Sequence, residues 1–376
     1  MKQIDRAVRI NGSRERNERS MTNGMTGPNA MADMNRTAGT NGGAGANGAG
    51  TNGADAGAHA RAGSGRQIRI SGGGYTAEIA SVGATLRSLS HRDRPLTATF
   101  GADEVRPAAL GTGLLPWPNR IAGGAYEFAG RSEQLPITEP ERGNAIHGLA
   151  SWLDWDVVGV AADRVELATR IAAQPGYPHS LEAMARFRLG AGGLRWSITT
   201  TNVGSAPAPY GVATHPYLRL PTGRADQWRL RVPAHEVLDV DEDTKLPRRL
   251  HPVAEFADGA FDFTSARPIG PQRIDHAMTG IEAEGGTTGV ELFGPDAADS
   301  GADSGVSLSW DPEALPWVQI FTADVPDHPE LDRRAVAVEA MTCPPDAFNS
   351  GTDLLVLDPG ETHEATWTIA AIGEVS

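Results

Sequence analysis

From about Arg66 onward the sequence is a succession of short alternating segments cut by Gly and Pro. No stretch of twelve or more residues carries the apolar period of an amphipathic helix. Phe187 and Leu189 alternate with Arg186 and Arg188, Gly190–Gly193 supplies a turn, and Leu194, Trp196 and Ile198 alternate with Arg195, Ser197 and Thr199. This is the pattern of a hairpin with one buried face. Near the C-terminus, Leu354–Leu357 runs into the turn Asp358–Gly360, after which His363, Ala365, Trp367 and Ile369 share one face of another strand. Further short strands are readable at Gln67–Ile70, Tyr75–Ala80, Arg164–Thr169, Trp228–Val232, Val306–Trp310 and Val318–Thr322. Strands joined by turns, without helices to cross between parallel neighbours, predict an all-β fold: a large antiparallel sandwich or barrel in one domain over 66–376.

Residues 1–65 read differently. They hold 13 Gly and 8 Asn, no aromatic residue, and only Ile4, Val8 and Ile10 from the large aliphatics. Such a segment buries too little apolar surface to offset its conformational entropy, so a disordered low-complexity tail is expected. It lacks the apolar core of a signal peptide. Met21, Met25, Met31 and Met34 leave a later start of translation open. Gly43, Gly45 and Gly48 copy the spacing of a dinucleotide fingerprint, but with no strand before them and no helix after them the match is compositional. The Asp/Ser/Gly/Ala stretch Pro295–Gly305 reads as a surface loop between strands.

Charge and rare residues exclude several functions. With 33 Lys and Arg against 47 Asp and Glu the chain carries a net −14, which argues against nucleic-acid binding. No apolar run approaches the length of a membrane span. Cys343 is the single cysteine, so intrachain disulfides and multi-cysteine metal sites are excluded, and a reducing, cytoplasmic setting is expected. Lys2 and Lys245 are the only lysines; Lys245 lies in an acidic turn, Asp239–Lys245, with no Gly-rich loop before it, so Schiff-base and Walker-type chemistry are improbable. That turn imitates the start of a calcium loop, yet Thr244 stands where Gly is required and Leu250 where Glu is required. No Gly-x-Ser-x-Gly elbow is present. Cys343, at the end of an apolar run, reads as a core residue.

Polar residues set among apolar ones are more informative. Glu339 interrupts the strand Ala335–Met341, where a carboxylate is either at a wet edge or deliberately desolvated. His215 sits in Thr214-His215-Pro216-Tyr217, His147 in Asn144–Leu149, and Arg120 in Trp117-Pro118-Asn119-Arg120-Ile121. Each histidine taken alone reads equally as a hydrogen-bonded structural residue. The arginine offers a planar donor fork suited to vicinal hydroxyls or a carboxylate.

The ordered set Pro118–Ile121, Asn144–Leu149, Thr214–Tyr217 and Glu339, with the ending Asp346–Asn349 and Leu355–Glu361, resembles the aldose 1-epimerase (galactose mutarotase) family over nearly all of 66–376. The resemblance implies a β-supersandwich with sugar bound in an open cleft, and a cofactor-free and metal-free isomerase of carbohydrate metabolism. It implies Glu339 as general base and His215 as general acid. It assigns His147, Arg120, Asn119, Asp275 (in Ile274–Ala277) and Gln319 (in Pro316–Thr322) to sugar binding. After His147 this chain reads Gly148-Leu149-Ala150-Ser151-Trp152, not the glycine-rich continuation of many galactose mutarotases, a difference that bears on sugar preference more than on chemistry.

Interconverting α and β anomers of a free hexose needs a proton taken from the C1 hydroxyl and another given to the ring oxygen. Each positioned group contributes about 10²–10⁴ in rate. The expected working state is Glu339 ionised and His215 protonated, favoured by mutual attraction and opposed by burial. Trp117, Trp152 and Trp310 are candidates for stacking on a sugar face, Trp310 being the best core residue of the three. Three other readings stand beside this one. A hexose-6-phosphate 1-epimerase would need a cationic cluster, for which Arg248–Arg249 or Arg333–Arg334 are available. A carbohydrate-binding sandwich would bind without turnover, and a glycosidase would use paired carboxylates such as Asp275 and Glu339. A monosaccharide is the expected partner, with no nucleic acid and no membrane, as a monomer or homodimer.

Overall fold

The computed structural model describes residues 62–295 and 304–373. Most of the low-complexity segment, and 296–303 of the expected loop, lie outside the described residues. Residues 62–65, assigned above to the tail, are part of the domain. Ala62 bridges Gly65, and the buried Ser64 hydroxyl donates to the Ala102 carbonyl at 2.6 Å.

Two antiparallel sheets form the body. One has nine strands in the order Asp156–Val160, Arg164–Ile171, Leu181–Gly190, Gly193–Asn202, Thr362–Ile372, Gly305–Trp310, Thr288–Phe293, Arg229–Arg231 and Arg267–Pro268. The other runs Pro247–Pro252, Ala234–Val240, Asp275–Ile281, Trp317–Phe321, Val336–Met341, Ala213–Thr214 and Gly113–Leu114, with Tyr217–Leu218 also paired to Val336–Met341. A four-stranded sheet, Gln67–Pro95, stands beside them. No helix among the described residues exceeds four residues, and the one α-helical turn is Ala347–Ser350, so the helix-free reading holds. None of the described helices is long and apolar enough to cross a membrane.

Period-2 patterning decides which residues meet. The expected hairpin forms with Leu189 opposite Leu194 and Phe187 opposite Trp196. Its inward face packs with Trp367 in one core that also takes Val318, Ile320, Val338 and Ala340 from the facing sheet. The buried indole of Trp367 donates to the Ala340 carbonyl at 3.0 Å, tying the sheets together. The segment ending at Leu357 does not pair with the C-terminal strand that follows it. Leu355–Leu357 pairs with Ala208–Tyr210, while Thr362–Ile372 lies between Gly193–Asn202 and Gly305–Trp310.

Alternation also creates the site. Along Val336–Met341, residues 336, 338 and 340 face the main core, while Ala337 and Met341 join two smaller clusters on the opposite face. Glu339 lies between those two, on the far side from the main core, and both faces are covered. That is why a strand with one carboxylate otherwise reads as a continuous apolar run.

Candidate active site

A cavity of about 400 Å³ opens over this second face. Three adjacent strands supply its floor. Glu339 is in register with Gln319, and Gln319 with Ala277, so Asp275, two residues before Ala277, emerges on the same face. The Gln319 amide donates to Asp275 Oδ1 at 2.7 Å. His215 stands between the short strands Ala213–Thr214 and Tyr217–Leu218, both paired to the Glu339 strand. Its backbone is pinned on both sides: His215 N donates to the Thr112 carbonyl and Gly111 N donates to the His215 carbonyl.

The wall comes from the paired strands Arg120–Ala122 and Asn144–Ile146. His147 follows the second of them with φ +64, its N–H donating to the Asn119 carbonyl at 2.9 Å. Gly148 comes next with φ +74, and a Cβ there would lie 2.2 Å from the Leu115 carbonyl oxygen, so only glycine lets this loop press onto the cavity rim. Asn119 also has positive φ, +54, and its side-chain oxygen accepts from Arg120 N at 3.0 Å.

All seven residues named from the sequence line this one cavity. His215 Nε2 lies 3.2 Å from Glu339 Oε1, with both side chains buried. The His147 ring meets His215 edge-on at 5.2 Å, and Tyr217 stacks under His215 at 5.0 Å. Arg120 is gripped by Glu139 through two bonds of 2.9 Å, Nε to Oε2 and Nη2 to Oε1, and lies 3.9 Å from Asp275. Glu339 Oε2, Gln319 Oε1 and His147 Nδ1 are buried and make no hydrogen bond within the described protein.

Burial acts on both partners of the Glu339–His215 contact. Burial lowers the His215 pKa to about 3, with Arg106 and Arg120 adding to the effect. Burial raises Glu339 well above the ordinary carboxyl range, and Asp275 adds to it while Arg120 opposes it. Burial therefore works against charge on both partners, on the carboxylate of Glu339 and on the imidazolium of His215 alike. His147 is likewise pushed well below its usual value, first by burial and then by His215, Arg120 and Arg106. Arg120 is raised, because the hydrogen bond and charge of Glu139, with Asp275 and Glu339, overcome its burial.

Among the tryptophan candidates, Trp117 and Trp310 are buried in the core, whereas Trp152 is exposed and lines the cavity. The arginine pairs considered for a phosphate are elsewhere: Arg333 is engaged by Asp226 and Asp324, Arg248 by Asp241, and none of the four lines the cavity. Asp241 accepts from Thr244 and Arg248, which makes the calcium-like turn a self-satisfied hairpin tip. Cys343 is buried, and its thiol is pushed up to about 12 by burial. Sequence reasoning missed Glu139, Tyr217 and Arg106. Glu139 sits in the polar stretch Thr138–Glu141, where no local pattern marks it.

The arrangement places a carboxyl group and an imidazole side by side in a hollow, with donors and acceptors around them. His147, His215 and Glu339 also bring potential ligand atoms within 4.8 Å of one another, a set that fits a divalent cation in donor type.

A sequence model described as "Aldose 1-epimerase" matches residues 66–370. An uncharacterized Escherichia coli K12 protein, YihR, is 36% identical over 307 residues, spanning 81% of this chain and 93% of its own. A solved GalM/aldose epimerase homologue from C. elegans superposes with a TM-score of 0.69 at 19% identity, over 82% of this chain and 99% of that one. A galactose 1-epimerase from Lactobacillus acidophilus NCFM gives 0.66 at 21% identity, over 82% and 95%. At those identities the two structures speak to the fold, which is galactose mutarotase-like.

Proposed function

The chain belongs to the aldose 1-epimerase family, and from that premise we propose that it interconverts the α and β anomers of free hexoses such as glucose and galactose by opening and reclosing the pyranose ring. The observation that carries this reading is the 3.2 Å contact between His215 Nε2 and Glu339 Oε1 inside the cavity. The two oxygens that exchange protons, the C1 hydroxyl and the ring oxygen, are both bonded to C1. Two proton carriers standing side by side match one donor and one acceptor oxygen that close together.

Glu339 takes the C1 hydroxyl proton as base and His215 delivers one to the ring oxygen. The bond from C1 to the ring oxygen breaks, the aldehyde turns about C1–C2, and closure on the other face reverses both transfers. Because burial disfavours the charge-separated pair, the sugar itself must help to create it. Its hydroxyl hydrogens replace lost solvation at Glu339 Oε2, which has no donor among the described residues. Arg120, Asn119, Asp275, Gln319 and His147 hold the remaining hydroxyls. No cofactor enters this scheme, and activity is expected to survive chelators. A cytoplasmic enzyme of carbohydrate metabolism fits the single, buried cysteine.

Four carboxylates line the cavity, Glu139, Glu141, Asp275 and Glu339, against Arg106 and Arg120. This balance favours a neutral sugar over a hexose 6-phosphate. The neighbour of Glu339 is an imidazole, while Asp275 is engaged by Gln319 and Arg120, which favours ring opening over glycosidic cleavage.

Polarimetry, or one-dimensional NMR, of freshly dissolved α-D-glucose and α-D-galactose tests the reading. The protein should accelerate anomerisation, glucose 6-phosphate should be a poorer substrate, and Glu339→Gln should lower kcat by about 10³-fold or more. Sugar binding without acceleration would make this a binding module, and a fully active Glu339→Gln would remove Glu339 as the base.

A further inference from the structure

Of the eight tryptophans, seven are at most 3% exposed, and Trp152 is 61% exposed on the lining of the cavity. Its ring is nonetheless fixed. The Arg106 guanidinium lies over it, 4.4 Å from the ring centroid. Arg106 is itself only 5% exposed and has no carboxylate partner among the described residues. Its Nη1 donates to Thr85 Oγ1 at 2.8 Å and its Nη2 to the Ser151 carbonyl at 2.7 Å. One guanidinium thus holds both the indole and the backbone immediately before it. Burial pulls the Arg106 pKa down to about 10, the mark of a cation taken out of water without a counter-charge.

Gly83 makes room for this clamp. It has φ +72, and a Cβ there would come within 2.4 Å of the Ser151 oxygen, 2.6 Å of Thr112 Oγ1 and 2.8 Å of Arg106 Nη1. A buried, uncompensated cation is costly to keep, and what it secures here is the orientation of the one exposed indole, at the mouth of a polar cavity.

A pyranose has a polar hydroxyl edge and an apolar face of C–H groups, and an indole fixed on a cavity wall is complementary to that face. We propose that Trp152 is the sugar-stacking wall of this site and that Arg106 is the positioning residue that holds it, so that the pair selects aldopyranoses presenting an unbroken C–H face. This deepens the reading of the cavity as a sugar site and rests on it.

Acrylamide quenching reports on Trp152 selectively, since the other seven indoles are buried. In wild-type protein, saturating galactose or glucose should cut the quenching constant at least about twofold. Trp152→Ala should abolish the sugar-sensitive component and raise KM about tenfold with kcat changed less than about threefold. Arg106→Lys keeps the charge but loses the planar fork. It should raise KM by a similar factor, make Trp152 easier to quench and leave the pH profile of kcat in place. The double variant should be no worse than Trp152→Ala alone. Should Arg106→Lys fail to fold, Thr85→Val, which removes one guanidinium acceptor, carries the same expectation.

An active wild type whose Trp152→Ala variant keeps its KM, or whose quenching ignores bound sugar, overturns the stacking wall and leaves the mutarotase reading intact. Additive effects in the double variant overturn the role of Arg106. A wild type that neither binds nor turns over hexoses overturns both readings together.

Discussion

At a carboxyl and an imidazole taken out of water 3.2 Å apart, burial disfavours the charged form of each. At Glu339 the folded pKa lies above the unfolded one, so its relative stabilisation is present below about 4.5 and is lost as pH rises toward the folded value. At His215 the folded pKa is about 3, so its contribution is present above the ordinary 6.5 and is lost as pH falls toward 3. Glu339→Gln at pH 7 should therefore inactivate without lowering Tm, which calorimetry measures directly. The acid limb of kcat/KM in the free protein should fall well below pH 6.5; a limb centred at 6.5 would mean that the imidazole is not desolvated in solution. Arg120 makes the opposite case, a buried guanidinium raised by its bidentate hydrogen bonds to Glu139. Glu139→Ala leaves that guanidinium poorly compensated and should cost about 3 kcal/mol in denaturant melts, with KM raised several-fold. Glu139 carried no sequence signal, because its role comes from a partner 19 positions away on a different element.

At the scale of the element, the strand Val336–Met341 explains why Glu339 was legible. A single carboxylate in a run buried on both faces has no innocuous place to go, and alternation alone sends it to the face opposite the core. The segments around Asn119 and around His147–Gly148 were legible as motifs but not as geometry. Asn119, His147 and Gly148 all take positive φ; Asn and His are enriched there among non-glycine residues, yet nothing local marks these two as the ones that do so. Gly148 is the pivot. Gly148→Ala sets a Cβ 2.2 Å from the Leu115 oxygen in a left-handed conformation. It should destabilise by about 2 kcal/mol or more, and reduce kcat more than the melting shift would suggest, because His147 must move with it. Chemical denaturation alongside steady-state rates distinguishes the two effects.

Across the whole molecule, the site depends on the seam between the two large sheets. Trp367, from one sheet, donates to the Ala340 carbonyl, one residue from Glu339 on the other. Trp367→Phe should preserve most of the packing yet leave that carbonyl unsatisfied, costing about 1–3 kcal/mol in thermal or urea melts. It should also lower kcat, because the Glu339 strand loses its tie to the core.

Strand positions, the absence of long helices and the in–out alternation are local properties with a period of two residues, and the sequence by itself determined them. The hairpin at 181–202 and the strand at 75–80 follow it closely. The resemblance to known motifs named seven residues that line the cavity, and left out Glu139, Tyr217 and Arg106. Tertiary structure alone decided the rest. It chose which strands lie side by side, separating Leu355–Leu357 from the strand after it and bringing Tyr217–Leu218 against Val336–Met341. It chose Trp152 over Trp117 and Trp310 as the exposed indole. It also set burial against the charged forms of Glu339 and His215. Desolvation is a sum over every atom that displaces water around a group, and those atoms come from segments scattered across the chain.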